Sequence, residues 1–177
     1  ETAHSWSSQD RDHHAWKGLS LWAMDGTTFR TPDSADNRAY FGAQSYASGK
    51  VASYPQVRAV SLTAIRTHLV ADIAFGHYDQ NEMLYAKTLI ERIVDHSLTV
   101  FDRGFLCAEI LLGLTLSGEQ RHFLIPAKSN TKWEVLSGTD DDCLVRMRVS
   151  PQARAKATHL PEYWVVRAVR VVSANGK

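Results

Sequence analysis

The chain has 177 residues, of which 44% are hydrophobic, 22% charged and 10% aromatic, so it can bury the core of a globular domain. Its 20 basic and 19 acidic residues give a net charge of +1, which excludes a uniformly basic nucleic-acid coat and an acidic tail. Two cysteines without a CxxC pair exclude a disulfide scaffold or zinc knuckle and indicate a reduced cytosol. No apolar run approaches the ~20 residues of a membrane span, so no membrane association is expected.

The first residues have no pattern of a folded element. Residues 1–18 are mostly polar, begin with Glu rather than Met, and lack the apolar stretch of a signal peptide. We therefore expect them to be the remnant of a preceding segment and the chain to be a fragment of a longer protein.

The first predicted strand ends at an aspartate. Residues 19–24 form a short apolar run typical of a buried strand, and the run ends at Asp25. Turn-forming residues at 31–34 and 47–50 predict a long loop after this strand.

Two strands and a helix are predicted next. Residues 57–67 and 69–75 are rich in β-branched and apolar side chains and predict strands. Asp79 and Glu82 have the spacing of a capping box, with Asp79 as the helix N-cap. Apolar residues recur at helical spacing behind this box and predict a stripe that faces a sheet. These residues are Met83, Ala86, Ile90 and Ile93.

A second strand that ends in an acid follows. Residues 97–101 predict a compact strand, and Asp102 comes directly after it. Residues 106–116 predict a helix that Gly118 ends, and residues 122–125 predict one more strand.

The last third of the chain predicts strands alone. They lie at residues 133–136, 144–149 and 164–172, with no helix pattern between them. The charge also changes sign, since 10 basic and 6 acidic residues follow position 116, against 10 and 13 up to it. This asymmetry indicates a polyanionic partner if the strand arginines are free, whereas otherwise they only solvate outer sheet faces. The arginines concerned are Arg146, Arg148, Arg167 and Arg170.

The two aspartates that end strands are the main candidates for chemistry. If their strands are parallel neighbours, Asp25 and Asp102 emerge at the same sheet edge, and strands about 4.8 Å apart let them share one ion. Such carboxylates suit Mg²⁺ or Mn²⁺, and two of these ions bind the attacking and leaving oxygens of a phosphoryl displacement. The simpler reading is that each Asp is a turn residue or a helix cap. Motifs of nucleotide-cofactor sites, zincins and serine hydrolases are absent.

Three sequence blocks resemble those of the DDE-class transposases of insertion sequences. The first is LWAMDGTTFRTPDS at residues 21–34, with Asn37 and Phe41-Gly42 behind it. The second is VFDRGF at residues 100–105, and the third is HFLIPAKSN at residues 122–130. Their order and separations resemble the branch of this family with a Tyr, Arg, Glu, Lys signature around its third acid. The resemblance covers residues 19–177.

The resemblance implies an α/β fold with a ribonuclease-H-like mixed sheet flanked by helices, followed by a β-rich insertion segment. Strands one to three form an antiparallel meander in this fold, and strand four lies beside strand one. The core is expected at residues 19–128 and the insertion segment at residues 129–177.

The resemblance also assigns roles to the acids. It makes Asp25 and Asp102 the first two catalytic acids and the ligands of Mg²⁺ or Mn²⁺. The pattern that carries the third acid, Tyr-x-x-Arg-x-x-x-Glu, does not occur in this chain. We therefore expect the chain to be truncated before the catalytic Glu and to cut DNA poorly or not at all by itself.

The partner implied by the resemblance is DNA, as transposon ends and target, in the bacterial cytoplasm at the nucleoid. A homodimer is implied for the intact enzyme. The residues expected to contact DNA are Arg30, Asn37, Arg103, Lys128, Asn130, Lys132 and Trp133. Trp133, or else Trp164, is a candidate platform for a flipped base, because bases stack on aromatic rings. Each of these residues has a plain structural alternative in a salt bridge, a solvated loop or sheet packing.

Two other functions fit the same residues. One is a non-catalytic DNA-binding remnant of a decayed or domesticated element, and the other is a ribonuclease-H-like nuclease unconnected with transposition. A reading frame that continues into the third-acid helix separates the first from a transposase. Joined products in a strand-transfer assay separate the second.

Overall fold

The computed structural model of the chain describes Ser5 and residues 15–172. The chain divides into two compact units, Glu1–Pro126 and Ala127–Lys177, and each contains its own β-sheet. The segment predicted as the remnant of a preceding region, residues 1–18, lies almost wholly outside the described residues.

The first unit begins with an antiparallel meander. Its strands are β1 (Ser20–Arg30), β2 (Gln56–Ala64) and β3 (Leu69–His77), each paired with the next. β-Branched and aromatic side chains are frequent here because they pack well on a pleated surface. The prediction that the first strand ends before Asp25 is wrong. β1 runs on to Arg30 because its second half stays paired with β2.

Two parallel strands complete the five-stranded sheet. β4 (Ser97–Phe101) pairs with β1, and β5 (Arg121–Leu124) pairs with β4. The strand order is β3-β2-β1-β4-β5. The meander and the fourth strand beside the first confirm the predicted ribonuclease-H-like mixed sheet.

Helices α2 (Glu82–Ile90) and α3 (Ala108–Leu116) cover one face of this sheet. α2 packs on β2 and β3, α3 packs on β5, and the two helices contact each other. We call this side the helix-covered face, and on β1 it carries Trp22 and Met24, both buried. Each fully buried Leu, Ile or Met side chain contributes about 1.5–3 kcal/mol by leaving water. The buried residues of the two helices are Tyr85, Ala86, Leu89, Ile90, Ile110, Leu111 and Leu114. Ile93, predicted in the stripe, is buried just past the end of α2.

The start of α2 differs from the prediction. Asn81 is the N-cap rather than Asp79, and its side-chain oxygen accepts a hydrogen bond from the Met83 backbone N–H at 3.0 Å. Glu82 does not reach back to the cap as a capping box requires. Instead, its carboxylate accepts a hydrogen bond from Arg58 at 3.1 Å.

The excursion between β1 and β2 contains a helix that the sequence pattern did not predict. α1 (Ala35–Phe41) starts at the N-cap Ser34, whose hydroxyl accepts a hydrogen bond from the Asn37 backbone N–H at 3.2 Å. It ends at Gly42, where φ is 75°, a conformation that favours glycine. None of its residues is buried, so it carries no apolar periodicity.

The second unit is a three-stranded antiparallel sheet in the order β6-β7-β8. Its strands are β6 (Glu134–Gly138), β7 (Asp142–Arg148) and β8 (Tyr163–Val169). The prediction of strands alone is wrong, because helix α4 (Pro151–Lys156) joins β7 to β8. It begins at the N-cap Ser150, and the proline occupies the first turn, where its missing N–H is tolerated. The buried apolar residues are Val145, Val149, Ala157, Leu160 and Trp164.

Candidate active site

Asp25 and Asp102 follow the last paired residues of two neighbouring parallel strands. Met24 and Phe101 are partners in the register of β1 and β4, and they are only 1% and 2% exposed. The next residue on each strand is the aspartate, and both aspartates are exposed. Because side chains alternate along a strand, Asp25 lies on the face opposite Met24. Each aspartate therefore directly follows one of the last two partners of this ladder, whose strands are about 4.8 Å apart.

One carboxylate oxygen of Asp102 caps the turn that follows it. Its Oδ1 accepts a hydrogen bond from the Gly104 backbone N–H at 2.7 Å and so caps the 3₁₀ turn Arg103–Phe105. The simpler reading of this residue as a cap therefore holds for Oδ1. No hydrogen bond reaches Oδ2 from any residue in the described part of the chain, so this oxygen is available to a cation.

Asp25 lies inside a strand rather than at a turn. It pairs with Ser61 of β2, so the ladder between the two strands fixes its backbone. Among residues 15–172, no hydrogen bond or ion pair engages its carboxylate. The turn-residue reading is therefore wrong for Asp25.

The donor set of the two aspartates fits a hard cation. Carboxylate oxygens are ligands that Mg²⁺ and Mn²⁺ prefer, and Mg²⁺ keeps several waters when one or two carboxylates bind it. Within the described ranges, no group of three or more His, Cys, Asp or Glu side chains is arranged to hold a metal ion. Asp25 and Asp102 are thus two candidate ligands for such an ion, and the described residues add no third His, Cys, Asp or Glu side chain to them.

An ion pair that the sequence does not predict lies on the helix-covered face, beside β1. Arg58 Nη1 lies 3.1 Å from Glu82 Oε1, and this carboxylate lies against Gly26, the residue after Asp25. The two partners are 24 residues apart and meet only because β2 and β3 fold back on each other. No local spacing in the sequence signals such a contact.

Arg30 and Arg103 present free cations near the aspartates along the chain. Arg30 ends β1, and Arg103 opens the turn directly after Asp102. Both side chains are exposed. Neither forms an ion pair with any residue that the structure describes, so the salt-bridge alternative has no support for these two.

Asn37 is occupied by local structure. Its side-chain amide donates a hydrogen bond to the Pro32 carbonyl oxygen at 2.9 Å, which braces the turn before α1. Beside it, Arg38 Nε donates to Asp33 Oδ1 at 2.5 Å, and this hydrogen bond lowers the pKa of the Asp33 carboxyl. Asn37 therefore stabilises the start of α1, and its amide is engaged there.

The loop after β5 holds three of the candidates in the second unit. Lys128 and Thr131 close a turn, in which the Thr131 backbone N–H donates to the Lys128 carbonyl at 2.9 Å. The side chains of Lys128, Asn130 and Lys132 are exposed around it.

The two tryptophans considered as base platforms differ in exposure. Trp133 is 43% exposed, whereas Trp164 is 7% exposed and belongs to the core of the second unit. Sheet packing is thus the role of Trp164, and Trp133 keeps an accessible surface.

The strand arginines are paired with acids. Arg146 donates to Glu134 across β6 and β7 at 2.6 Å, and Arg167 donates to Asp142 through two hydrogen bonds of 2.5 and 2.7 Å. The bonds from Arg167 lower the pKa of the Asp142 carboxyl. Arg148 pairs with Glu162, and Arg170 pairs with Asp141. These pairs favour the reading that the arginines solvate outer sheet faces.

None of the helices in the described ranges is long and apolar enough to span a bilayer. The sheet order and the two aspartates define a mixed α/β core of the kind that the sequence blocks implied. The chain belongs to the Transposase DDE domain family, which matches residues 16–171.

Two curated relatives come from Escherichia coli strain K12. Transposase InsG for insertion sequence element IS4 is 38% identical over 157 residues, which cover 88% of this chain and 35% of that protein. InsZ from the same strain is 36% identical over 121 residues, covering 68% of this chain and 40% of that protein. The chain thus spans little more than a third of the length of these relatives.

Among solved structures, the chain is similar to a piggyBac transposase in a synaptic complex with hairpin DNA. The TM-score is 0.43 at 9% sequence identity, and the match covers 88% of this chain and 34% of that one.

Proposed function

We propose that this chain is part of the catalytic core of a DNA transposase that cleaves DNA and joins its ends by in-line phosphoryl displacement. Asp25 and Asp102 are the two carboxylates of this core that hold Mg²⁺ or Mn²⁺. Membership of the family and the relationship to InsG support the reaction class. The observation that carries the site is the parallel register of β1 and β4, which ends at Met24 and Phe101 directly before the two acids.

Different contacts hold Asp25 and Asp102 in place. The antiparallel ladder with β2 holds the backbone of Asp25, and the Gly104 N–H holds one oxygen of Asp102. Neither residue must break a partnership with another side chain in the described part of the chain in order to bind a cation. When bound, the metal supplies activation of the attacking oxygen and stabilisation of the departing 3′-oxygen.

Contacts to the DNA backbone come from the free cations. Arg103 follows Asp102 directly, so its guanidinium is the best placed along the chain to bind a phosphate beside the reacting one. Arg30 and the loop cations Lys128 and Lys132 supply further contacts, together with the amide of Asn130. Trp133 offers a ring surface for a base. In the intact enzyme, a homodimer acts on paired transposon ends.

The isolated chain is expected to bind metal weakly and to cut DNA poorly. A transposase core of this class uses three acids, whereas no three His, Cys, Asp or Glu side chains of the described residues are grouped to hold a metal ion. With two carboxylates, the cation keeps most of its waters and is held less firmly.

A metal-directed cleavage experiment tests the assignment. Fe²⁺ replaces Mg²⁺ in the 177-residue chain, and ascorbate with peroxide generates radicals that cut the backbone near the bound ion. Cleavage is expected near positions 25 and 102, and Asp25→Asn or Asp102→Asn should abolish it at both positions. Asp36→Asn, which changes an exposed acid of α1, is the matched control and should leave the pattern unchanged. Cleavage elsewhere, or cleavage that survives both site variants, would refute the shared site.

A further inference from the structure

The carboxylate of Glu82 lies directly against the strand that carries Asp25. A methyl group built on Gly26 would stand 3.1 Å from Glu82 Oε1 and 2.8 Å from Cδ and Oε2, and the 2.8 Å contacts are shorter than those of real Cβ atoms. Gly26 does not have a positive φ, so its backbone conformation does not require glycine. A side chain at position 26 would therefore have to displace the Glu82 carboxylate, and the contacts that hold this carboxylate set the cost.

Glu82 is held in this place from two sides. It is the first residue of α2, whose N-cap is Asn81. Arg58 of β2 donates to its carboxylate at 3.1 Å and also donates through Nε to the Tyr78 carbonyl at 2.8 Å. The Arg58 guanidinium further lies 5.1 Å from the centre of the Tyr78 ring. The side chains of Arg58 and Glu82 are 23% and 34% exposed, so this pair is partly shielded from water. We call Arg58, Glu82 and Gly26 the β1 clamp.

The clamp contacts β1 where this strand loses a neighbour. Pairing with β4 ends at Met24, whereas pairing with β2 continues through Gly26, which faces Val60. From Asp25 onward, β1 is therefore held by a ladder on one edge only. The Glu82 carboxylate supplies a second support at this point, from the helix-covered face. Asp25 projects from the opposite face, so the clamp leaves its carboxylate accessible.

We propose that Glu82, held by Arg58, is a positioning residue that sets the place of Asp25 relative to Asp102 by contact with β1 at Gly26. This inference rests on the proposed function, since it concerns the same pair of acids. Glu82 does not touch the reacting atoms. Its contribution is steric and requires the carboxylate shape more than its charge.

A double-mutant cycle tests the clamp. Mn²⁺ affinity of the 177-residue chain is measured by electron paramagnetic resonance for Gly26→Ala, Glu82→Ala and the double variant. Each single change is expected to weaken Mn²⁺ binding about tenfold, the loss typical of residues that orient metal ligands. The double variant should bind no worse than Glu82→Ala, because removal of the carboxylate makes room for the methyl group. Glu82→Gln keeps the shape of the side chain and the oxygen that accepts from Arg58, so its Mn²⁺ affinity should stay close to that of the unchanged chain.

Two matched variants control for the chemical changes. Gly113→Ala adds a methyl group that meets no atom within 4 Å beyond the backbone of its own helix, and Glu109→Ala removes an acid from a different ion pair, that with Lys87. Both should leave Mn²⁺ affinity unchanged. Urea unfolding of every variant separates the alternatives, because a merely structural clamp lowers stability without moving the affinity.

The outcomes distinguish this inference from the proposed function. Strictly additive losses in the double variant would overturn the clamp, as would unchanged Mn²⁺ affinity in both single variants while Asp25→Asn abolishes binding. Absence of Mn²⁺ binding in the unchanged chain would instead contradict the metal site. In that case a crystal structure of Glu82→Ala tests whether the clamp positions Asp25. A shift of the Asp25 backbone relative to that of Asp102 supports it, and unchanged positions refute it.

Discussion

Met24 of β1 and Phe101 of β4 are the last partners in their parallel ladder, and beyond them the two strands are held by different contacts. β1 remains paired with β2 through Asp25 and further, whereas β4 passes into a 3₁₀ turn that Asp102 caps. The two candidate acids therefore differ in what fixes them. The sheet fixes Asp25 through its backbone, and a side-chain hydrogen bond fixes Asp102.

This difference predicts unequal effects on stability. Asp102→Ala should lower the free energy of unfolding by about 0.5–2 kcal/mol, because it removes the N-cap of the 3₁₀ turn. Asp25→Ala should change it by less than about 0.5 kcal/mol, because the side chain is exposed and makes no bond within the described part of the chain. Urea unfolding measures both, and hydrogen exchange of the Gly104 amide should accelerate only in the Asp102 variant. Equal losses from both substitutions would contradict the assignment of the cap.

The two candidate caps of α2 give a second prediction. Asn81→Ala should lower the free energy of unfolding by about 0.5–2 kcal/mol, since its side chain satisfies the Met83 N–H. Asp79→Ala should cost less, because Asp79 is exposed and bonds only the His77 ring among the described residues. Thermal unfolding of the two variants under identical conditions compares them. A larger loss from Asp79→Ala would favour the capping box that the sequence predicts.

Much of the first unit could be predicted because its signals are local. The strand at residues 97–101 was predicted with the bounds that β4 has, and the parallel placement of β4 beside β1 followed from the family resemblance. The end of β1 was not predictable, because its second half is stabilised by β2, which begins at Gln56. Helices α1 and α4 were missed because neither buries a residue within its bounds, so no apolar period marks them.

In the candidate site, too, only the residues with local sequence signals could be predicted. Asp25 and Asp102 stand out in the sequence because each follows an apolar run, and the register of β1 and β4 explains why they fall at equivalent positions. The clamp partners Arg58 and Glu82 gave no such signal. Their contact depends on the length of the β2–β3 hairpin and on the place where α2 begins, which are properties of the assembled fold.

Asp95 predicts how stability changes with acid. The pKa of this carboxyl is lowered below its ordinary value of 3.8, first by the hydrogen bond from the Glu119 backbone N–H and then by that from Arg121. A group whose pKa is lower in the folded state stabilises the fold above the unfolded value, and this stabilisation is lost as pH falls through the folded value.

The variant Asp95→Asn isolates this contribution. Relative to the unchanged chain, it should be less stable well above pH 3.8, and the difference should close well below it. Urea unfolding across the acid range measures the gap, with Asp36→Asn as an exposed control. A gap that stays constant with pH would show that Asp95 does not carry the effect.

The pairing of the strand arginines predicts which cations bind DNA. Each phosphate contact adds about one unit to the slope of log affinity against log salt, so removal of two cations by Lys128→Gln with Lys132→Gln should reduce this slope by about 2. Arg146→Gln with Arg167→Gln should reduce it less, because Glu134 and Asp142 already neutralise these guanidinium groups. Fluorescence anisotropy with a duplex at several salt concentrations measures the slopes.

Glu134→Gln in the unchanged chain is the matched control. It frees Arg146 and should increase the slope. A reduction by the arginine pair as large as that by the lysine pair would mean that DNA displaces the acids, and the outer sheet face would then be a DNA-binding surface.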